Sequence, residues 1–313
     1  MLRKLLLLSL LMISLTFVRC NLTAQKADKR ITAILMLERV DPSEKELQEA
    51  IDLLKKRFQK LGNPINQITL VSEEKIRVVI ETAAEVEAVQ KFLTTSANLE
   101  FYNTYKTEEM MPFVWAADKW LENNNPSVEK PLLSRISMPN FDYGAEMFHV
   151  KRSDTAQIFQ YLKMPEIRAL LERGKGDTKF LSGKLNPDSN MVSFYAVDTD
   201  RGIAPLDGTY VTEASLAYNA IGKPTIYITV NPEGAEIWAE MTGSAYERGS
   251  QIAIVIDDIV YSAPGVVAGP ITGGRSEIAG DFTEAEAQEL AVLIGSGAIP
   301  KMKLLEISSE PIK

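Results

Sequence analysis

Cysteine and histidine are nearly missing from this chain of 313 residues, which carries one of each, Cys20 and His149. A single cysteine excludes an internal disulfide, and one cysteine with one histidine cannot build a thiolate and imidazole zinc site. Any histidine-based triad would have to run through His149. Positive charge is also in deficit. Lys plus Arg number 34 against 42 Asp plus Glu, a net charge of −8 that leaves little attraction for phosphate backbones and argues against nucleic acid as a partner. After the N-terminal segment, no stretch approaches the ~18 apolar residues that a membrane span requires. What is present is ordinary for a globular protein. Hydrophobic residues make up 45% and charged residues 24%, enough to bury a core, and the length suggests about two domains at roughly 150 residues each.

The N-terminus reads as an address. Arg3 and Lys4 precede an uncharged run from Leu5 to Val18, which Arg19 stops. As a helix this run would span about 21 Å at ~1.5 Å per residue, short of a ~30 Å hydrocarbon core. It fits a secretory signal peptide over residues 1–24. Two exits are open. Leu22-Thr23-Ala24 suits ordinary cleavage before Gln25, in which case Cys20 leaves with the signal. Alternatively Cys20 stands where a bacterial lipoprotein carries its lipidated cysteine, although Arg19 occupies a place that usually holds Gly, Ala or Ser. Either way the expectation is an exported protein of the periplasm or envelope. Its contact with the membrane would be limited to a lipid anchor or an uncleaved signal.

Periodicity beyond this point predicts an α+β protein. Ile31 to Leu37 fits a buried strand. Ser43 and Glu46 have capping-box spacing, and Leu47, Ile51, Leu54, Phe58 and Leu61 fall on one helix face. Strands are expected over Ile65 to Val71 and Lys75 to Glu81, joined by a turn at Ser72-Glu73-Glu74. Thr82 and Glu85 repeat the capping-box spacing before a helix with Val86, Val89 and Phe92 inward, and Ala97 to Tyr105 reads as a strand. The order β-α-β-β-α-β recurs near the C-terminus. It runs through a strand Thr225 to Val230, a helix capped by Asn231 with Pro232 at its first position, strands around Asp257-Asp258, an extra strand Ser276 to Ala279, a helix capped by Thr283 and Glu286, and a last strand Met302 to Ile307. Two such split β-α-β units suggest two ferredoxin-like modules, or one composite domain built from both. Residues 106–205 differ. They are loop-rich at Asn123 to Pro126, Gly174 to Asp177 and Asn186 to Asp188, with Asp154 to Glu172 as their convincing helix, and read as an insert.

No constellation points to catalysis, a cofactor or a metal. His149 lies among alternating apolar neighbours, on a strand; no Gly-x-Ser-x-Gly elbow accompanies it, so an ordinary imidazole is preferred to a general base. Gly176 to Lys184 lacks phosphate-loop spacing, and Gly295-Ser296-Gly297 follows a helix rather than preceding one. The adjacent acids Glu73-Glu74, Glu108-Glu109 and Asp257-Asp258 read as solvated turn residues. Met110, Met111, Phe113, Trp115 and Trp120 have two readings: an adaptable apolar surface that contacts extended or unfolded chains, or filling for the insert's core.

Several segments are more specific. Gly222-Lys223-Pro224, Asn231 to Thr242, Gln251 to Ile256, Val260 to Pro264, Ile271 to Ser276, Gly280 to Ala287 and Ser296 to Pro300 resemble the first large periplasmic domain of the SecD/SecDF family, the accessory subunits of the bacterial Sec translocon. Ala97 to Tyr105 and Asp154 to Leu162 look most like the fused proteins of Bacteroidetes-type bacteria. The resemblance runs from about residue 31 to 305. It implies ferredoxin-like βαββαβ modules forming a base (25–105 and 206–313) with an inserted α+β head subdomain (106–205), and hinges at Lys106 and Leu206. It further implies binding of unfolded or translocating polypeptides and contact with Sec translocon components. The charged membrane bundle that carries protons in the family has no counterpart in these residues, so the expected role is assistance to Sec-dependent translocation that is not itself proton-driven. The competing expectation is a structural or regulatory interaction module of the envelope.

Overall fold

The computed structural model describes residues 26–312, apart from Val40, Asn63, Glu73, 125–129, 139–143 and Arg173. The signal-peptide and Cys20 readings therefore lie outside the described residues. The first part of the chain forms β1 (Lys29–Leu37), α1 (Glu44–Lys60), β2 (Gln67–Ser72), β3 (Lys75–Thr82), α2 (Val86–Thr94) and β4 (Leu99–Asn103). The capping box at Ser43 and Glu46 is formed, and Leu47, Ile51, Leu54 and Phe58 are buried as the spacing predicts. The second expected capping box is not formed. The helix begins one turn later with Glu85 as N-cap and no side-chain cap bond, because Thr82 ends β3 and its hydroxyl accepts from the Ala84 amide.

The insert region contributes α3 (Thr107–Asn124), β5 (Ile136–Ser137), β6 (Glu146–Lys151), α4 (Thr155–Lys163), α5 (Pro165–Arg168), β7 (Lys179–Asn186) and β8 (Met191–Val197). Here the sequence reading fell short. It found no helix before Asp154, yet α3 is 18 residues long. Pro112 lies inside it and apolar side chains surround much of its girth, so the one-sided stripe that marks a surface helix is blurred. The helix expected over Asp154 to Glu172 is broken at Met164, which is extended ahead of Pro165.

The remaining chain forms β9 (Leu206–Asp207), β10 (Val211–Tyr218), β11 (Pro224–Val230), α6 (Pro232–Arg248), β12 (Ile252–Ile256), β13 (Ile259–Ser262), β14 (Arg275–Ile278), α7 (Glu284–Ser296) and β15 (Met302–Pro311). Asn231 caps α6 through the Gly234 amide, with Pro232 in the first turn, and the Thr283 and Glu286 box caps α7. Asp257 and Asp258 both take positive φ, 51° and 65°, as a two-residue hairpin turn requires.

The strands form three sheets, ordered β15-β1-β3-β2, β10-β11-β14 and β5-β6-β8-β7-β13-β12-β4-β9. The first has the ferredoxin-like arrangement, but its closing strand is β15 from the other end of the chain, running antiparallel to β1 from Leu37↔Met302 to Lys29↔Pro311. The strand β4 instead pairs with β12 in the long sheet. Of the two arrangements the repeated βαββαβ order allowed, the composite domain is the one formed. One buried core joins residues from both ends, Ile31, Leu35, Leu54 and Ile76 with Ile228, Leu293 and Met302. A second core fills the insert around Met110, Phe148, Ile158 and Phe194, and a third, including Tyr102, Leu181, Tyr195, Val255 and Val260, lies where insert and base strands meet.

Candidate functional site

The long sheet joins the strands of residues 136–197 to those of the flanking segments at β7 and β13, a parallel pairing of Ile259 with Ser182 and Val260 with Gly183. Beside this crossing a cleft of about 660 Å³ opens, lined by Phe159, Leu162 and Lys163 of α4, Arg168 of α5, residues 176–181, Thr199, Gly202 and the turn residue Asp258. Its wall is built from local bonds. The extended Met164 and Pro165 turn the chain so that Arg168 donates to the carbonyls of Thr178 at 2.7 Å and Gly176 at 3.0 Å. Its guanidinium also lies 5.3 Å from the ring centre of Phe180, which stacks on Phe113 at 5.4 Å. The Thr199 hydroxyl donates to the Asp177 carbonyl and accepts from the Gly202 amide at 3.0 Å.

Lys179 holds the base side of the cleft. Its ammonium lies 2.8 Å from Asp258 and donates to Glu100 at 3.4 Å and to the Tyr102 hydroxyl at 3.3 Å. Burial pulls the Lys179 ammonium down, but the bond to Asp258 and the charge of Glu100 more than offset this and hold it above its usual value. The hydrogen bond from Lys179 holds the Asp258 carboxyl below the usual carboxylate range. Burial, reinforced by Glu100, pushes the Tyr102 phenol up to about 12. The cleft thus offers apolar faces from Phe159, Leu162, Phe180 and Leu181 beside fixed charges of both signs, a surface suited to a chain segment with alternating character.

The side chains singled out in the sequence are distributed differently from one another. Met110, Met111 and Phe113 fill the insert's core at 0%, 4% and 4% exposure, and Trp120 packs partly against it, whereas Trp115 is 57% exposed. The core-filling alternative thus describes the first three, and Trp115 is the member with a surface to offer. Lys106 precedes α3 and its amide donates to Glu109 at 2.7 Å. Leu206 is buried in β9, paired with Phe101.

His149 lies on β6, with Nδ1 3.1 Å from the Ser193 hydroxyl and Nε2 3.4 Å from Glu146, whose other oxygen accepts from Tyr195 at 3.0 Å. Ser193 sits in register opposite His149 within a β-ladder rather than on a strained turn. Among the described residues, no group of three or more His, Cys, Asp or Glu is placed to hold a metal ion. Asp257 and Asp258 do separate jobs. Asp257 accepts from the Ser96 hydroxyl at 2.6 Å and from the amides of Ala97 and Asn98 at 3.0 and 2.9 Å, while Asp258 faces the cleft. Sequence reasoning missed Arg168 and Lys179, because neither belongs to a motif; each acquires its role from partners that the fold brings near.

Comparison with known proteins places this architecture. The family described as "SecDF, P1 head subdomain" matches residues 188–301, from the turn before β8 to the residue before β15, and so overlaps residues 106–205 only at their end. The protein translocase subunit SecD of Rhodothermus marinus is 27% identical over 309 residues, covering 90% of this chain and 48% of that protein. SecD of Dictyoglomus turgidum is 39% identical over 108 residues, 34% of this chain and 26% of that protein. The chain is thus similar to SecD and SecDF proteins along most of its length, and residues 188–301 match the P1 head family. It spans about half or less of the length of these curated relatives. The fold agrees with a crystal structure of SecDF in a super-membrane-facing form, TM-score 0.55 at 20% identity over 92% of this chain and 31% of that one. A second SecDF structure, titled as a membrane component that enhances protein export, matches with TM-score 0.50 at 21% identity over 88% of this chain and 98% of that one. The matches link the chain to SecD/SecDF at large, without singling out Bacteroidetes-type proteins. No helix among the described residues is long and apolar enough to cross a membrane.

Proposed function

We propose that this module binds extended or unfolded polypeptide in the cleft between insert and base and thereby assists Sec-dependent translocation. The observation that carries the reading is the cleft of about 660 Å³, whose aromatic and aliphatic faces lie beside Lys163, Arg168, Lys179 and Asp258. Apolar side chains of an extended segment would settle on Phe159, Leu162 and Phe180, and its backbone carbonyls and acidic side chains would meet the cations. Mixed lining favours tolerance of sequence over tight selection, as a translocation aid requires. The insert (106–205) would act as the arm of the cleft and the residues before and after it as the base. Lys106 and Leu206 would mark the two crossings between them. Trp115 would extend the apolar contact beyond the cleft.

The test is site-specific photo-crosslinking from Phe159 and, separately, from Trp115 to an unfolded secretory precursor, with its folded mature form as control. Crosslinks to the unfolded form alone are expected from Phe159. Equal yields with both forms, or none with either, would refute the cleft reading. Recovery of a stable folded envelope partner in place of Sec components would favour an interaction module that has left transport.

A further inference from the structure

The strand β2 is the edge of the first sheet; among the described residues its sole strand partner is β3. Sheet edges carry a row of unpaired amides and carbonyls, and natural proteins guard them with lysine, proline, bulges or a covering element. This edge is lightly guarded, by a single register irregularity between Leu70 and Ser72. Gln67-Ile-Thr-Leu-Val-Ser72 contains no charge and no proline, and Leu70 and Val71 are 46% and 57% exposed. Among the described residues, no backbone hydrogen bond from outside the sheet reaches it. Strand alternation puts Leu70 on the side of Ile68, which packs against the core, and the register shifts between Leu70 and Ser72, at Val71.

A groove of about 470 Å³ runs along this end of the strand, lined by Leu47, Leu70, Val71 and Ser72, with Asp41, Glu44 and Glu74 at its rim. These three carboxylates have no ion pair among the described residues; nearby Arg39 is committed to Glu46, and Lys45 lies against Glu49. Lys75 is adjacent in sequence and leaves the rim net negative.

We propose that the β2 edge is a second polypeptide site, which takes an extended segment as an added strand. The open ladder supplies main-chain hydrogen bonds, and the pocket between Leu70 and Leu47 takes an alternate apolar side chain. The acidic rim selects a segment bearing lysine or arginine at the end that reaches Asp41, Glu44 and Glu74. The inference rests on reading the module as a binder of extended polypeptide, but it concerns a surface separate from the cleft.

Hydrogen exchange read by mass spectrometry separates the two. The probe is a ten-residue peptide alternating valine and threonine and ending in two lysines, added to the purified protein. Slower exchange is expected at residues 67–72, lost in the double variant Leu70→Lys, Val71→Lys. A peptide ending in two glutamates should bind about tenfold more weakly. Unchanged exchange at 67–72 with protection at 159–181 would overturn this inference and leave the cleft reading standing; protection at neither would remove both. Equal affinity for the glutamate peptide would overturn the proposed occupant. So would protection of 67–72 that grows with protein concentration in the absence of peptide, since the edge would then belong to a second copy.

Discussion

Replacing Arg57 with methionine should be among the most damaging single changes in the base. The side chain is fully buried at 0% exposure, and its hydrogen bonds among the described residues go to carbonyls and a hydroxyl rather than to a carboxylate. Its guanidinium donates to the Phe92, Thr95 and Ser96 carbonyls at 3.1, 2.5 and 3.2 Å, to the Gly297 carbonyl at 3.2 Å and to the Ser296 hydroxyl at 3.2 Å. These acceptors belong to the ends of α2 and α7, where unpaired carbonyls and the negative pole of the helix dipole coincide. Burial pulls the guanidinium down to about 10, with Asp257 opposing, so it is cationic at neutral pH. Methionine fills much of the volume but leaves the carbonyls without donors, at ~1–3 kcal/mol for each group that water cannot reach. Returning the cation to water in the reference state offsets part of this, and the net loss should fall near ~3–5 kcal/mol, as for other broken buried charge networks. Against a typical ~5–15 kcal/mol of total stability this is large. Urea unfolding followed by tryptophan fluorescence measures it from the shift in midpoint at constant slope. Arg57→Lys keeps the charge with fewer donors and should lose about half as much. A methionine variant within ~1 kcal/mol of the parent would show that the carbonyls find other partners and that the clamp is not structural.

Other changes test the remaining arguments. Lys179→Met should cost ~1 kcal/mol, since Asp258 is half-exposed and screened. The difference from the parent should depend on pH. The Asp258 carboxyl is held below 3.8, so its contribution is present above that value and fades as pH falls through the lowered folded value; Lys179 is held above 10.5, so its contribution is present below that value and fades as pH rises through the raised one. Stability curves that stay parallel down to about pH 2 would contradict the pairing. In Gly234→Ala the new Cβ would meet Tyr210 Cβ at 2.8 Å and Val230 Cβ at 3.1 Å, forcing α6 off β10 and β11; a loss of ~1–3 kcal/mol is expected in thermal unfolding. Thr283→Ala removes the α7 cap and should cost ~1 kcal/mol, read in the same way. Met110→Ala should lose ~2–5 kcal/mol in urea, whereas Trp115→Ala should leave stability within ~0.5 kcal/mol and reduce crosslinking to unfolded chains.

How legible these features were depended on whether they are local. The Ser43 and Thr283 caps and the Asn231-Pro232 start are set by atoms within one turn of chain, and the spacing showed them. Thr82 and Glu85 have the same spacing and do not make a box, because pairing of β3 with β1 extends to Lys29↔Thr82 and keeps Thr82 in the strand. Strand partnership was less visible still. The order βαββαβ is written in the sequence, but whether β4 or β15 closes the first sheet depends on contacts more than 200 residues apart in the chain. Arg57 looked like one more cation in the last turn of an amphipathic helix, and Lys179 like the start of an unremarked strand. Each owes its role to acceptors or carboxylates that arrive from distant elements. The cleft was illegible for the same reason. Its lining residues come from α4, α5, the strand β7 and a turn in the base, and share no motif.

Arg57 and Asp257 also explain how the two parts of the fold are tied. The chain leaves α2 and enters β4 through Thr95 to Asn98, the step by which it passes from the first sheet into the long one. Ala97 takes φ of 60° there, a left-handed conformation that costs a non-glycine residue of order 1 kcal/mol or more. It is held from both sides. Asp257, at the β12–β13 turn, accepts from Ser96, Ala97 and Asn98, while Arg57 donates to Thr95 and Ser96, and the Ile299 amide donates to the Ser96 carbonyl. A turn that serves the long sheet and a helix that serves the first sheet therefore hold the four residues between them and meet at Ser96. Asp258, the other half of that turn, carries the grip onward to Lys179 at the cleft. The stiffness of this connection follows from the number of donors and acceptors that fix it, anchored on the fully buried Arg57.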